Sequence, residues 1–384
     1  MNDVAVVGVG QTGFVQASGV SIREMAFSAF QEAVDDSGNL EAKDIDASVV
    51  SSAPEYDKQR SPAGAISEYL GLNPRPSMYA ESLCSSGTTA VRVAYGLIKS
   101  GLNGVVAVVG FQKMSELSAA DVQERMGRGA DIVWETPFGL TMPDGYALFA
   151  RAHMQEYGTT REQLAAVKVK SGKYAALNPK AAFQREVSMD DVLGSRMIAD
   201  PLRSLDCTSN ADGATCVILA NAEDAKKITD TPIWVKGIGS ASDALTVASK
   251  ASLTGLGCAS EAASQAYRMA GVGPGDIDVA EVHDCFTISE ILAYEDLGFC
   301  KRGEGGKLVQ DGETYIGGRI PVNVDGGLLG KGHPIGATGG SQIRTIVREL
   351  RGDAGRAQVK GAELGLVHNI GGIGLYGNVV IMGR

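Results

Sequence analysis

The pattern of apolar and polar positions along the chain occurs twice. Apolar runs typical of buried strands lie at residues 4–7 and 233–238. In the segment that follows each run, apolar residues recur every three to four positions, as on one face of a helix. The first helix is predicted to begin at Ser21, because Ser21-Ile-Arg-Glu24 has the residues of a capping box. Each half therefore opens with a strand and a helix.

A short motif strengthens the case for an internal repeat. Asp44-Ile-Asp-Ala-Ser-Val-Val50 is echoed by Asp276-Ile-Asp-Val-Ala-Glu-Val282. Later in each half, one more helix is predicted, and these two helices end at Gly101 and Gly352. The other predicted strands are 105–109, 215–219, 364–368 and 378–382. Strands that alternate with helices predict largely parallel sheets covered by helices.

The first half is interrupted by a long segment that has no counterpart in the second half. It spans about residues 112–200 and is rich in methionine, lysine and arginine. Long insertions of this kind usually shape or cover a binding site, although methionine-rich loop packing is the alternative. The predicted domains are therefore 1–111 with 201–222, an inserted loop domain at 112–200, and a second half at 231–384.

Composition and charge exclude several classes of protein. Glycine supplies 50 of 384 residues without a collagen period, which is typical of a turn-rich globular protein. The formal net charge of −10 disfavours binding to nucleic acid and to anionic membranes. The six cysteines contain no C-x-x-C pair, which predicts reduced thiols and a cytoplasmic location. No signal-peptide pattern and no apolar run of about 18 residues is found, so no membrane segment is expected.

Gly8-Val-Gly-Gln-Thr-Gly13 matches the glycine fingerprint of dinucleotide-binding proteins. In those proteins a helix opens within the motif and its N-terminus faces the pyrophosphate. Here the predicted helix begins only at Ser21, and no acidic residue closes the second strand. We therefore interpret these residues as turn glycines, with an NAD-binding oxidoreductase as the alternative.

Cys84 and His333 occupy matching positions in the two halves. Cys84 lies just before a predicted helix, whose free N–H groups and dipole favour the thiolate form. His333 lies at the corresponding loop-to-helix junction of the second half. If a pseudo-twofold axis relates the halves, the helix N-termini meet and His333 can take the proton of the thiol. The alternative for Cys84 is an ordinary buried core cysteine.

Two further motifs follow strands of the second half. In His283-Asp-Cys-Phe286, His283 can donate a hydrogen bond to an oxyanion, and Cys285 can act as a second proton donor. A metal site at His283, Asp284 and Cys285 is the less favoured interpretation, because no other ligand pair has metal spacing. His368-Asn-Ile-Gly-Gly372 ends a strand with glycines whose backbone N–H groups suit an oxyanion.

Together these motifs resemble the thiolase family, in particular its archaeal and sterol-carrier-protein-type branch. The likeness spans essentially the whole chain. The motifs that carry it are Cys84 before its helix, His283-Asp-Cys-Phe286, Gly332-His-Pro-Ile-Gly-Ala-Thr-Gly339, Asn210-Ala-Asp-Gly-Ala214 and His368-Asn-Ile-Gly-Gly372. The resemblance implies an α/β thiolase fold of two similar βαβαβ-type halves in five αβαβα layers, plus the inserted loop domain. It also implies a homodimer or a dimer of dimers that acts on coenzyme A thioesters.

The resemblance also implies a role for each site residue. Cys84 resembles the acyl-accepting nucleophile, and His333 its activator and an oxyanion donor. His283 stands where many thiolases have an asparagine that holds a water of the first oxyanion hole, and Gly371 resembles a donor of the second hole. Asn369 stands in place of the second cysteine of degradative thiolases. Cys285 of the His-Asp-Cys-Phe motif is therefore expected to be the acid/base.

The activity implied by the resemblance is acyl transfer through an acyl-cysteine. The chain is expected to cleave a 3-oxoacyl-CoA with coenzyme A, as in β-oxidation, or to condense acyl-CoA in reverse. Substrates would be acetoacetyl-CoA-like, or bulkier and aromatic such as benzoylsuccinyl-CoA. No metal and no covalently bound cofactor are expected, and no motif selects the residues that contact coenzyme A.

Relatives of the archaeal type imply a small partner subunit with a zinc ribbon and an OB fold. The alternative functions are a decarboxylating ketosynthase-like enzyme and a non-catalytic or aldolase-type subunit of the same fold.

Overall fold

A computed structural model describes residues 3–384, and its central element is a nine-stranded sheet. In chain order the strands are β1 (Val4–Gln11), β2 (Ala47–Ser51), β3 (Ser77–Ala80), β4 (Val105–Gln112), β5 (Met197–Ala199), β6 (Leu202–Arg203), β7 (Gly213–Asn221), β8 (Ile233–Ser242), β9 (Val279–Glu281), β10 (Leu364–Gly371) and β11 (Tyr376–Gly383). Strands β5 and β6 form a separate small hairpin.

The α-helices cover the sheet and line the insertion. In chain order they are α1 (Ile22–Ser37), α2 (Pro62–Tyr69), α3 (Ser86–Lys99), α4 (Ala119–Gly127), α5 (Met142–Tyr157), α6 (Arg161–Ala175), α7 (Met189–Gly194), α8 (Ala222–Ile228), α9 (Gly257–Ala270), α10 (Thr287–Asp296), α11 (Gly305–Gln310), α12 (Gly327–Lys331) and α13 (Thr338–Arg351). Helix α1 begins as predicted, because Ser21 and Glu24 form the capping box.

The order of the strands confirms the predicted repeat. Across the sheet the order is β3-β2-β4-β7-β1 in the first half and β8-β11-β10-β9 in the second, so one half mirrors the other. The halves meet where β1 pairs with β8. The counterpart of β3 is reduced to a single bridge between Val322 and Ala280.

The prediction of largely parallel sheets is wrong. Only the pairs β2–β3, β2–β4 and β9–β10 are parallel. The pairs made by β1, β7, β8 and β11 are antiparallel. Strands β10 and β11 are joined by residues 372–375, a connection too short for the crossover that parallel strands need. The last strand of each half therefore runs back along its neighbour.

The apolar cores define five layers. One core combines α3 and α13 with the facing sides of strands from both halves. A second packs α1, α2 and α8 against the outer face of the first half. A third packs α9, α10 and the insertion helices α5 and α6 against the second half. The layers therefore run helix, sheet, helix, sheet, helix, as the resemblance to thiolases implied.

Gly8 and Gly10 lie within β1, so the interpretation as turn glycines is wrong for these two, whereas Gly13 lies beyond the end of the strand. A Cβ atom on Gly10 would lie 2.6 Å from the backbone nitrogen of Ala33 in α1. Gly239 repeats the arrangement in β8, where a Cβ atom would lie 2.9 Å from the nitrogen of Ala266 in α9. The glycines therefore let a helix pack against its strand, and α1 begins well beyond the motif.

Two helical segments are inserted between the elements of this repeated framework. Helices α4 to α7 and the β5–β6 hairpin lie between β4 and β7, in the insertion. Helices α10 to α12 lie between β9 and α13 in the second half, which the sequence did not reveal as an excursion. Within residues 3–384, no helix has the length and apolar character needed to span a bilayer.

Candidate active site

Cys84 lies in a tight turn between β3 and α3. Leu83 adopts a φ of 54°, in the left-handed region that non-glycine residues seldom occupy and that is common at functional sites. Serine hydroxyls hold the turn: Ser86 Oγ donates to the carbonyl oxygen of Leu83 at 2.6 Å, and Ser85 Oγ donates to that of Ser82 at 2.8 Å. The turn presents the half-buried thiol in front of the helix.

His333 lies at the start of the turn that leads into α13. Its Nδ1 is 2.6 Å from Thr338 Oγ1, and that hydroxyl lies 3.0 Å from the carbonyl oxygen of Pro334. Since the hydroxyl donates to the carbonyl, it accepts from Nδ1–H of His333. Nε2 then carries the lone pair, and it is buried without a hydrogen-bond partner. His333 is thus arranged as a base.

The predicted approach of the two helix N-termini is observed at Gly87 and Gly339. A Cβ atom on Gly339 would lie 2.5 Å from the backbone nitrogen of Thr88, and one on Gly87 would lie 3.0 Å from that of Gly339. Only residues without a side chain allow this approach. The crossing brings Cys84 and His333 together.

Asn369 determines which ring nitrogen of His283 carries the hydrogen. Its amide Nδ2, which can only donate, lies 2.9 Å from His283 Nδ1. Asn369 Oδ1 faces the Thr88 hydroxyl at 3.0 Å, which keeps the amide in this orientation. The neutral imidazole therefore carries its hydrogen on Nε2, as an oxyanion donor requires. This role for Asn369 was not foreseen from the sequence.

Cys84, His283 and His333 form one compact cluster. The Cys84 sulfur and one nitrogen of each imidazole all lie within 4.8 Å of one another. Burial lowers the pKa of His333 to about 3, and burial with the nearby His333 lowers the pKa of His283 well below its usual value. Both histidines are therefore neutral.

The charge state of Cys84 differs from the sequence expectation. Burial raises the pKa of its thiol above the usual value, and proximity to Cys285 adds to this effect. This shift is opposite to the one expected from the helix N-terminus, and it favours the thiol over the thiolate. Cys84 rests as a thiol beside a neutral base.

The same three residues have the donor spacing of a metal site. Within residues 3–384, no other group of three or more Cys, His, Asp or Glu side chains meets this geometry. The set considered from sequence, His283 with Asp284 and Cys285, is not brought together. Asp284 instead accepts from the N–H groups of Leu328, at 2.7 Å, and Leu329, at 3.3 Å, in α12.

The second thiol, Cys285, lies across the cavity among hydroxyl groups. Its sulfur is 3.5 Å from Ser289 Oγ, and burial raises its pKa to about 12. On the same wall of the cavity, the Tyr146 hydroxyl donates to the carbonyl oxygen of Gly372 at 3.0 Å, and its ring stacks on Phe286, the residue after Cys285. Tyr146 belongs to the insertion, far away in sequence, so sequence reasoning missed it.

The glycine turn after β10 closes the site. Gly371 is buried at the end of the strand. Its neighbour Gly372 lines the cavity together with Cys84. The glycine turn singled out in the sequence therefore lies at the cavity, and Gly372 is the glycine of that turn that lines the wall.

A cavity of about 620 Å³ contains the cluster. The apolar wall includes Leu83 from the turn before Cys84, Tyr56 from the segment after β2, and Met126, Met142 and Ile198 from the insertion. The polar wall includes Glu55, Gln123, Arg196, Ser204 and Asn210. Cys84, Cys285, His283 and His333 all face this cavity, whose volume suits a small ligand.

Known family descriptions match nearly all of the chain. The model described as "Thiolase, N-terminal domain" matches residues 4–230, and "Thiolase C-terminal domain-like" matches residues 239–384. The chain belongs to the thiolase family. The fold, the family and the acyltransferase class expected from the sequence are therefore confirmed.

Individual thiolase relatives support the same conclusion. An acetyl-CoA acetyltransferase of Methanothermobacter thermautotrophicus is 45% identical over 386 residues and covers 100% of both chains. The benzoylsuccinyl-CoA thiolase subunit BbsB of Thauera aromatica is 37% identical over 77% of each chain. Among solved structures, the Ltp2-ChsH2(DUF35) aldolase has a TM-score of 0.86 and 30% identity, covering 100% of this chain and 98% of that one.

A buried ion pair stabilises the segment of this thiolase that carries His283. Lys170 Nζ lies 2.7 Å from Glu290 Oε1, and both side chains are inaccessible to solvent. Glu290 also accepts from the amide of Asn323, whose Oδ1 accepts from the Val282 N–H at 2.8 Å. The residue before His283 is thereby fixed to the core.

Proposed function

We propose that this thiolase transfers an acyl group between Cys84 and coenzyme A, cleaving 3-oxoacyl-CoA and condensing acyl-CoA in reverse. The observation that carries the proposal is the cluster of Cys84, His333 and His283, whose donor atoms lie within 4.8 Å of one another. Cleavage is the thermodynamically favoured direction and is the reaction used in β-oxidation.

The first step is attack of Cys84 on the 3-oxo carbonyl. His333 Nε2 takes the thiol proton as the sulfur bonds to carbon. The backbone N–H of Cys84 and those of the turn at Gly371 and Gly372 stabilise the oxyanion. The C–C bond then breaks, which leaves an acyl group on Cys84 and the enolate of an acyl-CoA.

The second step protonates the enolate and releases the acyl group. His283 Nε2–H stabilises the enolate oxygen, directly or through a water, and Cys285 gives its proton to the enolate carbon. Coenzyme A then loses its thiol proton to the Cys285 thiolate and attacks the acyl group. The sulfur of Cys84 regains the proton held by His333, and the site returns to its starting state.

The cavity and the relatives narrow the substrate. The full-length similarity to an acetyl-CoA acetyltransferase favours acetoacetyl-CoA. The aromatic side chains of Tyr56, Tyr146 and Phe286 on the cavity wall also suit an aromatic acyl group, and the similar subunit BbsB supports benzoylsuccinyl-CoA as the second candidate.

Intact mass after incubation with single thioesters tests this proposal. Wild type should gain the acyl mass from acetoacetyl-CoA or benzoylsuccinyl-CoA, and coenzyme A should remove it, whereas Cys84→Ala should gain nothing. Release of carbon dioxide from malonyl-CoA would instead indicate a ketosynthase-like enzyme. An adduct on Cys84→Ala, or none on wild type, would contradict the proposed role of Cys84.

Dimerisation is proposed at the free edge of the sheet. Within the part of the chain that the structure describes, β3 pairs with β2 alone, so one side of β3 offers unpaired backbone groups. Sedimentation should give the mass of two or four chains. A single-chain mass would contradict this.

A partner subunit is proposed on the insertion. Trp134 and Phe138 are 73% and 81% exposed, with Ile132 and Val133 beside them, which is unusual for a free surface. The names of two similar proteins describe a subunit and a two-protein assembly. A co-expressed zinc-ribbon and OB-fold protein should co-purify with wild type and be lost from Trp134→Ser; equal recovery would refute this surface.

The unpaired cysteines favour a cytoplasmic location.

A further inference from the structure

Asp284 lies between two residues of the site, His283 and Cys285, on the segment that follows β9. In the part of the chain that the structure describes, the cavity is lined by these two neighbours but not by Asp284, whose side chain is fully buried. A buried carboxyl group needs hydrogen-bond donors, because leaving it without partners is costly. Its donors identify the segment that it holds.

The donors are backbone N–H groups of α12, the short helix that precedes His333. Asp284 Oδ1 accepts from the Leu328 N–H at 2.7 Å, and Oδ2 accepts from the Leu329 N–H at 3.3 Å. A Cβ atom on Gly327 would lie 2.2 Å from Asp284 Oδ2, so the glycine leaves room for the carboxylate against the helix. Asp284 therefore holds the first turn of α12.

The contact continues to His333 through α12. The carbonyl oxygen of Leu328 accepts from the Gly332 N–H at 3.0 Å, and Gly332 directly precedes His333. Leu328 is thus bonded to Asp284 through its N–H and to the residue before His333 through its carbonyl group. One carboxylate therefore joins the segments that carry the two histidines of the site.

The two imidazole rings show the geometry that this link maintains. Their centroids are 5.2 Å apart and their planes are inclined at 81°, so one ring meets the other edge-on. In the proposed function, His333 takes the proton of Cys84 and His283 stabilises the enolate formed from the same bound substrate. The separation of the two rings must therefore match that substrate.

We infer that Asp284 is a positioning residue that sets the separation of His283 and His333. The inference rests on the proposed function, because that function gives each histidine a role in one reaction. Asp284 acts through the backbone of α12 and does not touch the substrate.

Other side chains hold α12 against the insertion. Lys168 Nζ donates to the carbonyl oxygen of Leu329 at 2.6 Å, and Ser171 Oγ donates to that of Gly326 at 2.6 Å. Both donors lie on α6, so they fix the helix without reference to His283. We therefore expect α12 to stay folded when Asp284 is changed, while its alignment with the His283 segment is loosened.

The decisive variant is Asp284→Asn, which keeps the shape of the side chain. Its amide nitrogen replaces one acceptor oxygen by a donor, which cannot bond to an N–H group of α12. Asp278→Asn is the control for loss of a carboxylate charge near β9. Asp278 Oδ2 also accepts from two backbone N–H groups, those of Glu363 and Leu364 at 2.9 Å each, but at the other end of the strand.

The first readout is the kcat and KM of acetoacetyl-CoA cleavage, with urea unfolding to verify the fold. We expect Asp284→Asn to lower kcat by about tenfold to 100-fold and to leave KM within about twofold of wild type, because catalytic alignment is lost and substrate contacts are kept. Asp278→Asn should leave both constants within about twofold of wild type. An unchanged kcat in Asp284→Asn, or an equal loss in Asp278→Asn, would overturn the inference.

A double-mutant cycle separates alignment from a merely structural role. In a His283→Ala background, Asp284→Asn should lower the residual turnover by no more than about threefold, because no second histidine remains to be aligned. A structural role would lower turnover by the same factor in both backgrounds, and that result would overturn the inference.

Asp284→Glu decides the matter if Asp284→Asn does not fold. It keeps both acceptor oxygens but lengthens the side chain by one methylene group, so kcat should fall while KM stays near that of wild type. A kcat equal to that of wild type would overturn the inference. Absence of the Cys84 acyl adduct from wild type would instead indicate failure of the proposed function, whereas an adduct on wild type with an unchanged kcat in the Asp284 variants would refute the inference alone.

Discussion

The crossing of α3 and α13 is the feature whose disturbance is easiest to predict. Alanine at position 339 would place its Cβ 2.5 Å from the backbone nitrogen of Thr88, whereas ordinary contacts begin at 3.4 Å. The two helices would therefore have to separate by about 0.9 Å, from 3.4 minus 2.5. Neither obstacle is flexible, because the second contact, at 2.9 Å, is Asn369 Oδ1, which is already hydrogen-bonded.

The expected result of Gly339→Ala is a loss of both stability and activity. Overpacking of a rigid contact costs about 1–3 kcal/mol. A displacement of about 1 Å between reacting groups costs about 100-fold in rate, and here it separates Cys84 from His333. The assays are rapid-quench intact mass for acylation of Cys84 and urea unfolding for stability.

Gly96→Ala is the control; it lies in α3, the other helix of the crossing. A Cβ atom there would meet nothing within 4 Å, so the substitution should stabilise the helix by about 0.5–1 kcal/mol and leave acylation unchanged. If Gly339→Ala acylates within about twofold of wild type, the helix crossing does not set the Cys84–His333 geometry, and the reasoning fails. Equal losses in both variants would refute it as well.

Three further predictions concern buried ionisable side chains. Lys170→Met should lower the free energy of unfolding by about 3–5 kcal/mol, because it leaves Glu290 buried without its partner. The same substitution at the exposed Lys227 should lower it by less than about 1 kcal/mol. Urea unfolding of both variants tests this, and similar losses would contradict the argument. Burial raises the pKa of Glu281 well above 4.5, so the unfolded chain loses a proton that the folded chain keeps, and stability should fall as pH rises above 4.5. Glu281→Gln should flatten this fall in urea titrations, and a curve parallel to wild type would count against it. Burial lowers the pKa of His368 from 6.5 to about 3, so the unfolded chain gains a proton first and stability should fall as pH drops from 6.5 towards 3. His368→Leu should be less sensitive to acid than wild type over that range, and an unchanged slope would refute this.

Local signals in the sequence predicted the elements and the repeat well. The capping box at Ser21 placed the start of α1, because its hydrogen bonds form within one turn of chain. The apolar runs placed most of the strands, because burial on a sheet face needs no knowledge of the neighbouring strand. Cys84 and His333 precede corresponding helices of the two halves, and this correspondence was sufficient to predict that the two side chains meet.

Strand direction and the close packing of β1 on α1 could not be read in the same way. A buried apolar run looks alike in parallel and antiparallel sheets, so the direction depends on how the connections cross the molecule. The glycines of β1 match a nucleotide-binding motif in sequence. They are needed because α1 packs directly against them, and that contact exists only in the folded chain.

By itself, the sequence determined the two similar halves and the chemically reactive groups, since these depend on local pattern and on residue type, and its resemblance to thiolases implied the fold. Only the tertiary structure decided their chemical state. Burial made the histidines neutral and kept Cys84 protonated, and the amide of Asn369 put the hydrogen of His283 on Nε2. The fold also brought Tyr146 from the insertion to the cavity that Cys285 lines. Desolvation and hydrogen bonding between distant segments depend on distances in space, which the order of residues does not specify.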